Sequence, residues 1–254
     1  MIKILAVTNQ KGGVGKTTTT VNLAASLASS QKRVLLIDLD PQGNATMGSG
    51  VEKRDLQSSV YDVLLGNKTV AQARKTAGAG GYDVLPANRE LAGAELELAD
   101  LPRREMRLKE SLQEVIEEYD YVLIDCPPAL NLLTLNGLCA ARSVMIPMQC
   151  EYYALEGLSD LVSTIRKVRA SLNPVLEIEG LLRTMFDPRN ALAQQVSTQL
   201  ETHFGDKVYK TVIPRNIRLA EAPSYGVPAL FHDKASKGTQ AYMALAGEML
   251  NMGQ

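Results

Sequence analysis

Residues 3–20 read KILAVTNQKGGVGKTTTT, and the fold turns on this stretch. Ile4, Leu5, Ala6 and Val7 form a short apolar run of the kind buried in a parallel sheet. A glycine-rich turn follows. After it, Val21, Ala24, Ala25 and Ala28 recur at helical spacing, predicting a helix over about 16–30. Strand, glycine loop and helix start together are the setting of a phosphate loop, G-x-x-x-x-G-K-[ST]. Gly15, Lys16 and Thr17 fit the end of that pattern. Its first glycine would fall at position 10, which is Gln10, and an additional lysine, Lys11, stands beside it.

Outward from the loop, short apolar strands alternate with helical patterns. Strands are expected at 34–38, 82–85 (weaker), 121–125, 143–147, 178–184 and 208–213, and amphipathic helices at 103–119, 155–172 and 237–251. This predicts an α/β fold of the P-loop NTPase kind, with a mostly parallel central sheet and helices on both faces. The 254 residues show no evident linker and suit a single domain, 1–254. AGAGG at 77–81 reads as a surface loop.

The chain carries 27 basic and 28 acidic residues, net −1, so any nucleic-acid binding must come from a local patch. Cys126, Cys139 and Cys150 match no short metal or cluster spacing. No apolar run approaches the ~20 residues of a membrane helix, and the chain goes straight into a strand without a signal peptide. The reading is a cytoplasmic protein.

In a phosphate loop, Gly12, Gly13, Val14 and Gly15 let successive amides point at phosphate oxygens, with Thr18 in the first helical turn. Lys16 reaches the β and γ phosphates, and the Thr17 hydroxyl ligates Mg²⁺. Two strands end in acids: LLIDLDPQGN supplies Asp38 and Asp40, and YVLIDCPP supplies Asp125. Ligands bind beyond the carboxyl ends of parallel strands, so all three fall on the loop's side. Asp125 stands where a Walker B acid does, as a ligand of Mg²⁺ or its water, with Asp38 as a second metal candidate; Asp40 would orient the attacking water.

KGGVGKTTT, LLIDLDPQGNAT, YVLIDCPP, MQCEYYALEGLSDL and TVIPRNIRLAEAPS occur in that order. Together they resemble the ParA/Soj family of partitioning ATPases, deviant-Walker relatives of the MinD group, over residues 2 to about 250. The resemblance implies ATP/ADP and Mg²⁺ as cofactors and slow, partner-stimulated ATP hydrolysis. It implies that Lys11 is the signature lysine, reaching across an ATP-dependent homodimer to the partner's phosphates. From spacing alone, Lys11 would be only a second phosphate contact. Gly12 resembles the glycine that must stay small for two subunits to close. Asp40 matches the aspartate needed for hydrolysis but not for ATP binding, and Pro214 and Asn216 match residues lining the adenine. Segment 186–197 is the least familiar.

The resemblance also implies non-specific binding of double-stranded DNA, a ParB/Spo0J-type centromere-binding partner and association with the nucleoid. Residues 162–218 hold nine basic against five acidic residues, net +4; within them Arg189 and Arg218 match DNA-contacting positions. Some relatives carry a helix-turn-helix before the first strand, which here begins at residue 2, so operator binding is not expected. The tail, AYMALAGEMLNMGQ, lacks Lys and Arg and contains Glu248, unlike a membrane-seeking helix. It is expected to pack on the domain, with no membrane partner. Three alternatives share the ATP switch: a MinD-like membrane-surface ATPase, a positioning ATPase for a non-DNA cargo, and a metal-cluster ATPase.

Overall fold

The computed structural model describes residues 2–252. Seven strands are found there: β1 (Lys3–Val7), β2 (Val34–Asp38), β3 (Lys75–Thr76), β4 (Asp83–Leu85), β5 (Tyr121–Asp125), β6 (Ser143–Met148) and β7 (Glu177–Arg183). They form one sheet in the order β3-β4-β2-β5-β1-β6-β7, parallel throughout except between β3 and β4.

Strand β1 lies between β5 and β6, and both of its faces are covered, which is why its sequence is continuously apolar. Ile4 and Ala6 join Ile37, Ile124 and Ile146 in one core, under helices Leu132–Ala140 and Ala154–Ser171. Leu5 and Val7 join Leu36, Leu123 and Met145 in the other, under helices Lys16–Ser29 and Lys237–Met252. The tail packs as expected: Tyr242, Leu245 and Met249 are buried, and the Tyr242 and Thr19 hydroxyls lie 3.0 Å apart. Gly253 and Gln254 of that tail lie outside the described residues. No helix among those described is long and apolar enough to cross a membrane.

Two expectations fail. The helix foreseen over 103–119 is broken into 3-10 turns around a short helix, Arg107–Ser111. Its apolar face is as read, with Leu108, Leu112, Val115 and Tyr119 buried. The interruption comes from Asn136. Its carboxamide accepts from the Leu108 amide (3.1 Å) and donates to the Arg104 carbonyl (2.8 Å), taking the place of the 108→104 helix bond. The strand foreseen over 208–213 is reduced to isolated bridges, Leu181 with Val208 and Phe186 with Pro214. Between them, the Lys210 and Thr211 amides donate to the Glu248 carboxylate (2.7 and 2.9 Å), and the Arg183 guanidinium donates to the Tyr209 carbonyl (2.7 Å). Side chains thus satisfy the backbone a ladder would have used. Segment 186–197 contains the first half of a helix, Ala191–Phe204, capped by Asn190.

Gly180 of β7 faces the Tyr209 ring so closely that an added Cβ would sit 2.5 Å from it. Gly157, in an exposed helical turn, has open space around it. Opposite signs are therefore expected in urea unfolding. Gly180→Ala should lose about 1–3 kcal/mol by overpacking, and Gly157→Ala should gain about 0.5–1 kcal/mol of helix propensity.

Candidate functional site

The loop after β1 is fastened at both ends. The Thr8 amide donates to the Met145 carbonyl (3.1 Å), and the Asn9 side chain donates to the Pro147 carbonyl (2.8 Å) while accepting from the Lys11 amide (3.0 Å). Further on, the Thr184 hydroxyl donates to the Val14 carbonyl (2.7 Å), joining the loop to the end of β7. Gly13 (φ 74°) and Gly15 (φ 87°) adopt left-handed backbone that glycine takes without strain. Gly15 caps helix Lys16–Ser29 without a side chain, so the first helical amides face the loop. At Gly12 the constraint is different: a Cβ there would meet nothing within 4 Å of its own chain.

Parallel register sets Asp38 directly beside Asp125 across β2 and β5, with Val7 of β1 next in line. Both carboxylates are sealed from solvent, on the face covered by helix Lys16–Ser29. Thr17 and Thr20, one turn apart there, donate to the two oxygens of Asp125 at 2.7 and 3.1 Å. Lys16 is buried as well, its ammonium donating to the Lys11 carbonyl at 3.1 Å. Burial pushes the Lys16 pKa down, against the pull of Asp125, Cys126 and Asp40. Burial first, and mutual repulsion second, push Asp125 well above the usual carboxylate range. Burial also raises Asp38, against its hydrogen bonds.

Asp38 is fully engaged within the protein. Its Oδ2 accepts from the Thr46 amide (2.8 Å) and hydroxyl (2.7 Å), and its Oδ1 accepts from the Asp40 amide (3.1 Å). Both acids are fully engaged, but Asp125 accepts from Thr17, itself a metal candidate, whereas Asp38 braces the chain at Thr46 and Asp40. No cluster of three or more His, Cys, Asp or Glu fit to hold a metal exists among the described residues. That suits Mg²⁺, which takes one or two protein oxygens and completes its shell with phosphates and water. Asp40 is half-buried, with Oδ1 accepting from the Gln42 amide (2.9 Å).

Lys11 points elsewhere. Its ammonium pairs with Glu151 at 2.5 Å, and both side chains are 52% exposed. Beside the loop, Gly15, Thr18, Thr184, Met185, Pro214 and Asn216 are among the residues lining a cavity of about 160 Å³. The Asn216 side-chain oxygen accepts from the Arg218 amide (3.0 Å), capping helix Ile217–Glu221, so its side chain does not have both donor and acceptor open for a base edge. Sequence reading passed over Thr20, Thr46, Glu151 and Thr184. Thr20 alone had a visible signal, its i+3 spacing from Thr17 on one helix face.

The model of a family described as AAA domain matches residues 2–178. Soj of Bacillus subtilis, a sporulation initiation inhibitor protein, is 56% identical over 249 residues, covering 98% of each chain. The chromosome partitioning protein ParA of Caulobacter vibrioides is 50% identical over 252 residues, 98% of this chain and 94% of that one. This chain belongs to the ParA/Soj family. Among solved structures, a Mycobacterium smegmatis protein described as cobyrinic acid a,c-diamide synthase superposes with a TM-score of 0.86 at 39% identity, covering 98% of this chain and 94% of that one. That structure holds ADP and magnesium.

For a ParA/Soj member, the candidate DNA residues are placed less favourably than the nucleotide residues. Arg189 is exposed and held by both oxygens of Asp187 (3.0 and 2.8 Å). Arg218 is shared between Glu221 (2.8 Å) and Asp233 (3.3 Å). Arg183, counted in the basic stretch, is buried against Ser197 and Glu201 and offers no surface charge. Buried Arg183 and buried Glu179 cancel within the net +4 of 162–218, but Arg218 is paired with Glu221 and Asp233 outside that stretch, so +4 overstates the exposed patch. Cys126, Cys139 and Cys150 are free and buried, with thiol pKa values raised by burial.

A carboxyl whose folded pKa is raised binds its proton more tightly when folded. Its stabilisation is complete below the ordinary carboxylate value near ~4 and is lost as pH rises through the folded value. Metal- and nucleotide-free protein should therefore lose stability to urea as pH rises above ~4, with a shallower slope in Asp125→Asn. Equal slopes would mean that Asp125 does not titrate on unfolding.

Proposed function

We propose that this chain is an ATP-dependent partitioning ATPase. In its ATP-bound form two copies pair face to face and bind double-stranded DNA without sequence preference. A ParB/Spo0J-type centromere-binding partner stimulates slow hydrolysis and so releases them. The observation that carries this reading is the placement of the two lysines. Lys16 lies buried within its own loop, whereas Lys11 is turned outward to Glu151 at the surface. An outward cation on a phosphate loop suits delivery to a second subunit, where it offsets phosphate charge only when the dimer forms. Gly12 agrees with this: its own chain leaves room for a side chain, so a need for glycine would come from an approaching partner.

ATP or ADP with Mg²⁺ is the ligand, and the metal supplies neutralisation of charge on the β and γ oxygens. The Gly12–Lys16 amides and the Lys16 ammonium hold the phosphates. Thr17 and Asp125, 2.7 Å apart, hold the metal or its water. Thr18, Pro214 and Asn216 enclose the nucleoside. Asp40, with Oδ2 turned from the Gln42 amide, orients the attacking water. Arg189 and Arg218 leave their acidic neighbours for DNA phosphates, contacts that give affinity without reading sequence. Such a protein works in the cytoplasm, on the nucleoid.

Binding to random-sequence duplex DNA, with ATP, with ADP and without nucleotide, tests the reading at two salt concentrations. Binding should require ATP and weaken with salt, disappear in Lys11→Ala and persist in Asp40→Ala without turnover. DNA binding absent in every state, with ATP turnover intact, would redirect the reading to another cargo. Glu151→Gln should cost less than about 1 kcal/mol, as an exposed pair, and should strengthen ATP-dependent self-association seen by sedimentation. Unchanged association would mean that the pair does not restrain Lys11.

A further inference from the structure

Segment 39–43, between β2 and the short helix Asn44–Gly48, carries Asp40, and one hydroxyl from that helix holds it in place. Thr46 is fully buried, and its Oγ1 accepts from the Ala87 amide at 2.9 Å. With that lone pair occupied, the hydroxyl proton is directed to Asp38 Oδ2, 2.7 Å away, beside the Thr46 amide on the same oxygen. The other oxygen of Asp38 accepts from the Asp40 amide at 3.1 Å. A continuous line of hydrogen bonds therefore runs from Ala87, beyond β4, through Thr46 and Asp38 to the backbone from which the Asp40 carboxylate projects. Gly43 closes the arrangement from the same side. It has φ 63°, and a Cβ there would sit 2.7 Å from the Ala87 carbonyl oxygen.

We propose that Thr46 is a positioning residue for ATP hydrolysis, setting the place of the Asp40 carboxylate through Asp38. The proposal rests on the reading of Asp40 as the residue that orients water. The hydroxyl also gives a buried carboxylate a donor that valine, of nearly the same shape, lacks. Without it, Asp38 Oδ2 keeps only the backbone amide of residue 46 and the carboxylate is held less firmly; a displacement of Asp40 by about 1 Å is enough to cost on the order of 100-fold in rate. The side-chain hydrogen bonds of Thr46 go to Asp38 and Ala87 and none to the phosphate loop, so nucleotide affinity is not part of its role.

The test uses the full chain with Thr46→Val and Thr46→Ser beside wild type. Three quantities are measured: amide hydrogen exchange at Asp40 and Ala87 without nucleotide, affinity for a non-hydrolysable ATP analogue, and kcat for ATP. In Thr46→Val, exchange should quicken at both amides and kcat should fall about 10–100-fold, while analogue affinity changes less than about twofold. Thr46→Ser, which keeps the hydroxyl, should restore both exchange and kcat. The proposal is overturned if exchange at Asp40 is unaltered in Thr46→Val, if Thr46→Ser is no better than Thr46→Val, or if affinity falls together with kcat. Wild-type protein that binds ATP without turning it over would instead overturn the hydrolysis reading, and the proposal with it.

Discussion

Asp38 and Asp125 lie side by side at the ends of adjacent parallel strands, both excluded from water. Two charges so placed repel strongly in a low-dielectric surrounding and demand compensation. Much of the nearby construction answers that demand. Thr17 and Thr20 serve one carboxylate and Thr46 the other, and Lys16 supplies a buried positive charge. The helix bearing Thr17 and Thr20 must start where it does, because only there do both hydroxyls reach Asp125. The glycine turn with φ 74° and 87° brings the chain from β1 to that start. A divalent cation placed at Thr17 and Asp125, as proposed, would complete the balance, with phosphates and water supplying the rest of its shell.

The two lysines of the loop show how solvent divides labour between identical side chains. Lys16 is desolvated and held by a backbone carbonyl, so its position is set by its own subunit. Lys11 is half-exposed in an ion pair that costs little to leave. One is fixed in its own loop; the other can leave its partner at little cost, as the proposed crossing to a second subunit requires.

Most of the fold was legible because both-face burial writes itself as unbroken apolar runs. ILAV, VLLI and YVLI each became a central strand ending near the site. The nucleotide residues were legible because a phosphate loop imposes spacing over a few adjacent positions. What escaped was decided by side chains distant in sequence. Nothing near Leu108 announces that Asn136 will take its amide, and nothing in 208–213 announces that Glu248 and Arg183 will satisfy its backbone. Thr46 and Glu151 escaped for the same reason: their partners, Asp38 with Ala87 and Lys11, are set by tertiary contact and not by local pattern. The apparent basic stretch misled in the opposite direction, since a count of charges cannot see that Arg189 and Arg218 already hold acids.

Helix Lys237–Met252 covers the face of helix Lys16–Ser29, with Tyr242 reaching Thr19. The first helix of the phosphate site therefore leans on residues made more than two hundred positions later. On the ribosome, the loop and its strand emerge early but lack this cover until residues 237–252 have emerged too. Competence to hold nucleotide should accordingly arrive late in synthesis. A nascent chain stalled before residue 237 would present an apolar helix face to chaperones instead of a finished site.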